Sequence, residues 1–188
     1  MRPKRLISLL VAVCMMITML PLSAVTAFAA DTEWRDANEG GYQYWYTLNS
    51  NNTATITSFA GPVDPTETHA PYDIEIPATL DGYTVTGLGE DSFYERTSLE
   101  SVTLGPNIKT IGEEAFYNCP VLDNVIIPQN VTSIGPRAFN KCTGLITLTI
   151  NSPVMSMGEY AFADCDHLTS LSLCNDLQTI GDHAFEKC

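Results

Sequence analysis

The sequence predicts an α/β solenoid. Its coils stack through a parallel β-sheet, carry short helices on the other side, and are closed at the N-terminal end by a β-hairpin. Three observations support this. Several residue types recur every 23 positions. Each copy holds a run with apolar residues at alternate positions, the pattern of a short strand. A non-repeating stretch rich in Tyr and Thr precedes the first copy. A unit of 23 residues cannot bury an apolar face alone, so the copies must stack to make a continuous core.

Composition bounds the function. The chain has 188 residues, is 45% hydrophobic and 16% charged, and sets 9 Lys+Arg against 22 Asp+Glu for a net charge of −13. That much apolar material argues against wholesale disorder. The acidic balance argues against nucleic acid and anionic lipid as partners, because both are held mainly by Lys and Arg.

Residues 1–29 read as a signal peptide. Arg2, Lys4 and Arg5 precede an apolar run over residues 6–20 broken only by Ser8 and Thr18, and Ala27-Phe28-Ala29 supplies a small-residue cleavage site. Pro21 and that tripeptide favour cleavage over a retained membrane anchor. A lipoprotein reading would use Cys14, but Val13 is bulky where a small residue is needed. Removing the three basic residues takes the net charge from −13 to −16. The expected product is secreted or held at the cell surface, with no membrane insertion after cleavage.

Residues 30–72 form the expected cap. Residues 42–48 alternate, Asn49-Ser50-Asn51-Asn52 is turn-like, and residues 53–59 are rich in Thr, which together describe a β-hairpin. Gly61-Pro62 and Pro65 punctuate the loop that follows. The Tyr42, Tyr44 and Tyr46 face could stack on sugars, but closing the end of the core is the favoured role.

Residues 73–188 hold five copies, the last truncated. Ile111-Gly112, Ile134-Gly135, Met157-Gly158 and Ile180-Gly181 keep the period, as do Ala115-Phe116, Ala138-Phe139, Ala161-Phe162 and Ala184-Phe185. The first copy is degenerate, with Leu88-Gly89, Ser92-Phe93, and Arg96 where the others have Cys. Asp81-Gly82 makes an extra turn within it. In the next copy Val102 and Leu104 belong to the strand, residues 108–111 to a second extended piece, and Gly112 to a turn. Ala115, Phe116 and Cys119 sit at helix-like offsets, so residues 113–119 read as a short helix or 3₁₀ segment. Stacking then makes core ladders of Phe93, Phe116, Phe139, Phe162 and Phe185, and of Cys119, Cys142, Cys165 and Cys188.

The pattern L-x-x-[VIL]-x-[LI]…[VIL]-x-x-[IM]-G-x-x-A-F-x-x-C-x-x-L resembles the BspA-like class of leucine-rich repeats. Asn107 and Asn130 stand at its asparagine position, and Pro153 and Asp176 replace it later. The resemblance implies a right-handed leucine-rich-repeat solenoid. It also implies an exported surface protein of a host-associated microbe, engaged in adhesion.

The chemistry available is sparse. Aligned cysteines would lie within disulfide range, yet a 22-residue interval is no metal-ligand spacing. Buried thiols acting as small hydrophobes are the favoured reading. Asp164-Cys165-Asp166-His167 gathers a thiol and an imidazole, but a core-facing Cys165 would not meet His167; His69 and His183 are the other imidazoles. The pairs Glu90-Asp91 and Glu113-Glu114 read as complements to helix dipoles rather than as catalytic acids. No phosphate loop, zinc motif or nucleophile elbow occurs. The expectation is therefore no enzyme activity, no cofactor and no metal.

The outward strand positions are Asp73 and Glu75, Ser101 and Thr103, Asn124 and Ile126, Thr147 and Thr149, and Ser170 and Ser172. They form a shallow ribbon of small hydroxyl and amide groups, suited to an extended extracellular protein or glycan. The expected function is a non-enzymatic binding module. The alternatives are the recognition arm of a larger exported enzyme with its catalytic domain beyond Cys188, or a structural spacer. Cys188 stops short of the Leu the period demands next, so the chain is expected to be a fragment. The sequence leaves the oligomeric state open.

Overall fold

The computed structural model describes residues 35–62, 71–151 and 153–188. The signal peptide expected at residues 1–29, with Cys14, lies outside them, as do Pro65 and His69. Among the described residues fourteen strands follow in chain order. Three build the cap, β1 (Arg35–Glu39), β2 (Tyr42–Leu48) and β3 (Thr53–Pro62). The first coil has β4 (Tyr72–Glu75), β5 (Thr79–Leu80) and β6 (Tyr83–Leu88). The remaining coils contribute pairs: β7 (Leu99–Thr103) and β8 (Thr110–Ile111), β9 (Asn124–Ile127) and β10 (Ser133–Ile134), β11 (Thr147–Ile150) and β12 (Ser156–Met157), β13 (Ser170–Ser172) and β14 (Thr179–Ile180).

Two sheets line the stack. One runs β13-β11-β9-β7-β4, all parallel, and is the sheet expected from the alternating runs. The other runs β1-β2-β3-β6-β8-β10-β12-β14, with β5 paired to β6. The hairpin of β2 and β3 joins this second sheet, because β3 pairs in parallel with β6. Strand β1 extends it by one more antiparallel pairing. Its sequence, Arg-Asp-Ala-Asn-Glu, buries only Ala37, so alternation gave it no signal. The signal was the turn: Gly40 and Gly41 both have positive φ, at 60° and 82°. A two-residue loop with that geometry is the one antiparallel hairpins prefer. Asp81 and Gly82, at 49° and 84°, make the same turn between β5 and β6.

The expected short helices are absent among the described residues; residues 112–119 and their counterparts are turns. Two left-handed residues in each coil prevent a helix: Asp91 and Glu95, Glu114 and Asn118, Arg137 and Lys141, Tyr160 and Asp164, His183 and Lys187. Left-handed backbone costs a non-glycine residue roughly 1–2 kcal/mol. Hydrogen bonds between coils repay this. The N–H groups of Glu114, Phe116 and Asn118 donate to the carbonyls of Pro136, Ala138 and Asn140 in the next coil, at 2.7–3.0 Å. The same set recurs from Arg137, Phe139 and Lys141, and from Tyr160, Phe162 and Asp164. With no helix, Glu90-Asp91 and Glu113-Glu114 complement no helix dipole; Asp91 and Glu114 instead occupy left-handed corners of this ladder.

The core sits between the two sheets and the turn segments. Phe93, Phe116, Phe139 and Phe162 are fully buried, with neighbouring ring centroids 4.9–5.0 Å apart and planes within 11°. Such spacing between parallel rings is the offset stack that the aromatic quadrupole favours. Phe185 continues it at 5.5 Å and is only partly buried. At the other end Phe59, from the cap, lies 4.9 Å from Phe93 with a 36° tilt. The cap therefore supplies a rung although Phe59 precedes Phe93 by more than one period. Tyr44 and Tyr46 are buried against this end. That places them in the core, while Tyr42 stays half-buried with its hydroxyl donating to the Asp73 carbonyl at 2.8 Å. The Tyr46 hydroxyl donates to Asp81 at 2.6 Å, and burial pushes its pKa up to about 12.

The coils approach closely at one glycine column. A Cβ on Gly135 would lie 2.6 Å from the Gly112 carbonyl carbon and 2.7 Å from the Glu113 nitrogen. No side chain fits there, which is why Gly follows the second strand of every coil.

Candidate functional site: the strand face and the turn face

The first sheet brings together all ten positions picked out for its outer face. The pairing aligns Asp73, Ser101, Asn124, Thr147 and Ser170 in one column. Glu75 pairs with Thr103, Ile126 with Thr149, and Thr149 with Ser172, making a second column. Ser101, Thr147 and Thr149 are half-buried and the other seven exposed. Beneath them Ile74, Val102, Val125 and Leu148 face the core. Ser101 donates to Asp73 Oδ1 at 2.6 Å, so one end of the ribbon is tied down and carries the charge of Asp73 and Glu75. Ile126, 48% exposed, is the apolar centre of an otherwise polar ribbon.

Cys119, Cys142, Cys165 and Cys188 donate to the carbonyls of Phe93, Phe116, Phe139 and Phe162 in the preceding coil, at 3.1–3.4 Å. Cysteine suits the position because it is both a small hydrophobe and a weak donor. All five described cysteines are free. Cys119, Cys142 and Cys165 are buried, whereas Cys188, in the last coil, is exposed. Burial pushes the Cys142 and Cys165 thiols well up, the reverse of what a nucleophile needs. Cys174 is half-buried, 3.9 Å from the Val154 carbonyl. His167 is exposed and turned away from Cys165, its Nδ1–H donating to the Thr143 carbonyl at 2.7 Å. His183 holds Glu186 at 2.8 Å. Acid, thiol and imidazole are adjacent in sequence but not joined in space.

Nothing in the repeat pattern announces the turn face, where the copies differ most. Counterpart positions there form columns one coil apart. In one column Tyr94 stacks on Tyr117, with centroids 5.0 Å apart and an 8° interplanar angle. The next two members are Asn140 and Ala163, both buried. The ring stack therefore stops, and a notch of about 290 Å³ opens there, lined by Glu114, Tyr117, Arg137, Asn140, Lys141, Tyr160 and Asp164. On one side Arg137 lies 5.6 Å from the Tyr160 ring centroid, and Tyr160 stacks on His183. On the other, Lys141 Nζ donates to the Tyr117 hydroxyl at 2.6 Å, and this bond raises the Lys141 pKa. The signal available in the sequence was one of difference. The coil with Arg137 and Lys141 has no acid in its turn segment, whereas its neighbours carry Glu113, Glu114, Glu159 and Asp164.

Among the described residues, no group of three or more His, Cys, Asp and Glu could hold a metal ion, and no helix is long and apolar enough to cross a membrane.

Comparison with known proteins agrees with the geometry. A model of the BspA type leucine rich repeat region matches residues 73–188 in six copies. Among solved structures, a leucine-rich-repeat protein of T. pallidum is 26% identical with a TM-score of 0.69, over 76% of this chain and 64% of that one. A leucine rich cell surface protein of Faecalibacterium prausnitzii is 30% identical with a TM-score of 0.64, over 85% of this chain and 42% of that one. The pneumococcal vaccine antigen PcpA, 18% identical with a TM-score of 0.54 over 81% of this chain and 47% of that one, shares the fold. The chain thus spans less than two thirds of the length of each. No match was found among curated proteins.

Proposed function

This chain belongs to the BspA-type leucine-rich-repeat family, and from that premise we propose that it is an exported, non-enzymatic binding module that recognises an extended extracellular protein or glycan along its strand face. The observation that carries the reading is the ribbon itself. Five parallel strands hold ten side chains in two columns, polar except for Ile126, on a face that no other described element covers. Rigid strands fix these groups before any ligand arrives, which reduces the ordering cost of binding. An extended ligand lying across the strands meets two carboxylates at β4, a hydroxyl or amide on each later strand, and an apolar contact at the middle. The F. prausnitzii relative is described as a cell surface protein, which supports a place outside the cell.

The test changes Ser101, Thr103, Thr147 and Thr149 together to Lys. Binding is measured by biolayer interferometry against a panel of purified extracellular-matrix proteins and mucin glycans. The expected result is at least one binder in the panel and a loss of about tenfold or more in affinity for the variant, the effect of disrupting the centre of an interface. Binding that survives the four changes, or a panel with no binder, overturns the reading.

A further inference from the structure

We propose that the turn-face notch is a second, separate binding site that takes one pyranose unit of a neutral saccharide, stacked on Tyr117. The argument begins with the interrupted ring column. Tyr94 already covers one face of the Tyr117 ring. On the other side the column continues with Asn140 and Ala163, which leave unfilled the position where a third ring would lie. Lys141 Nζ is 2.6 Å from the Tyr117 hydroxyl and 5.0 Å from the ring centroid, which places the ammonium at the hydroxyl edge rather than over the middle of the ring. An open tyrosine face beside a ring-sized space accepts the C–H face of a sugar. Its volume, about 290 Å³, lies at the small end of the ~300–1,000 Å³ range of ligand pockets.

The lining decides between ligand classes. Arg137 and Lys141 supply donors and Asp164 supplies acceptors. The charges nearly cancel within the site, because Arg137 lies 3.7 Å from Glu113 and 3.9 Å from Glu114, and Lys187 holds Asp164 at 3.1 Å. An anionic ligand would have to displace these pairings. An apolar or aromatic side chain from another protein would cover charged groups without giving them hydrogen bonds, which is costly. A neutral ring carrying several hydroxyls both donates and accepts, and it fills the site without breaking any pair. Asn140 is fixed in the lining, since its Nδ2 donates to the Ala163 carbonyl at 3.2 Å. The side chains come from three successive coils, so the stacking geometry that builds the core also builds the site.

The site is distinct from the strand-face ribbon, so the two readings fail separately. The probes are methyl glycosides of glucose, galactose, mannose and N-acetylglucosamine, with the corresponding tetrasaccharides, followed by saturation-transfer-difference NMR and by titration of the Tyr117 ring resonances. The expected result is weak, saturable binding of at least one probe. Tyr117→Ala should reduce it about tenfold, the scale of losing a central aromatic contact. Asn140→Tyr, which puts a ring at the third position of the column, should abolish it. The variant with four lysines on the strand face should bind the saccharide as the parent does. Absence of binding by every probe, or binding that survives both Tyr117→Ala and Asn140→Tyr, overturns the proposal. So does preferential binding of a tyrosine-bearing peptide over every saccharide, since that would make the notch a protein-docking slot.

Discussion

The first coil and those after it share one backbone plan but differ in how well their buried polar atoms are satisfied. From Gly112 onward each coil has Ala before the ladder Phe and Cys three positions after it, and each of those thiols finds a carbonyl. The first coil has Ser92 and Arg96 at those places. Among the described residues, the buried side-chain atoms without a partner are Asp91 Oδ1, Ser92 Oγ and Arg96 Nε in that coil, and Thr57 Oγ1 in β3 beside it. Where a coil meets another coil, one solution is reused. Where it meets the cap, the neighbour is a different kind of surface and the repeat's own pairing has no counterpart. The phenylalanine rung survives this change of neighbour because burial needs only shape. The polar groups do not, because a hydrogen bond needs a partner at one place.

Substitutions can break this contrast or sharpen it. The largest effect is expected from Phe139→Ala in a regular coil, with a loss of about 3–5 kcal/mol in chemical denaturation, because neighbouring rings are too well packed to collapse into the space. Phe59→Ala should cost a similar amount if the cap's rung is equivalent; a cost below about 1 kcal/mol would show the cap to be a loose cover. Gly135→Ala forces a Cβ to within 2.6 Å of the neighbouring backbone and should cost about 3 kcal/mol.

Alkaline pH separates the regular coils from the first. The unfolded thiols of Cys142 and Cys165 ionise near about pH 8.5, whereas burial keeps the folded ones protonated to higher pH. In that range the folded state binds more protons than the unfolded one. Stability is therefore fully present below about pH 8.5 and falls as pH rises toward the folded values, by up to about 1.4 kcal/mol per pH unit for each thiol. The variant with both cysteines changed to Ala should lose that slope in denaturation curves recorded at several pH values.

The smallest effects form a matched pair. Ala138→Ser plants in a regular coil the hydroxyl that the first coil carries, and should cost about 1–3 kcal/mol. Ser92→Ala removes it and should stabilise by about 1 kcal/mol, seen as a raised denaturation midpoint. If Ser92→Ala destabilises instead, the hydroxyl is not idle and the contrast between coils is wrong.

What the sequence made legible follows the same division. Phe116, Cys142 and Gly135 could be read because the coils from Gly112 onward use them identically, so the 23-residue step exposes them. The strand face could be read because alternation is a local property of Val102, Val125 and Leu148. The turn segments were misread because Ala115, Phe116 and Cys119 have the same offsets in a helix as in this turn. The deciding residues are the left-handed ones. Asn118 and Asp164 tolerate that conformation, but Arg137, Lys141, Tyr160 and His183 give no hint of it. Strand β1 escaped notice because an exposed edge needs no alternation. Phe59 escaped because its place in the ladder is set in space and not by the period. The notch at Tyr117 could not be found from what the copies have in common, since it consists of their differences.

The ladder in the turn segments has a direction. In each of the first four coils the N–H groups at the second, fourth and sixth positions after the glycine donate to the later coil, and the carbonyls that receive them point back. Each seam between coils therefore presents the same donors to the same acceptors, whichever two copies meet. Excising one whole period, residues 113–135, would bring the donors of Asp91, Phe93 and Glu95 against the carbonyls of Pro136, Ala138 and Asn140, the partners that Glu114, Phe116 and Asn118 have now. A gene encoding such a molecule can gain or lose copies by unequal recombination without creating a faulty joint. Length becomes a trait that selection can adjust one coil at a time, with stability changing by one coil and one seam at each step.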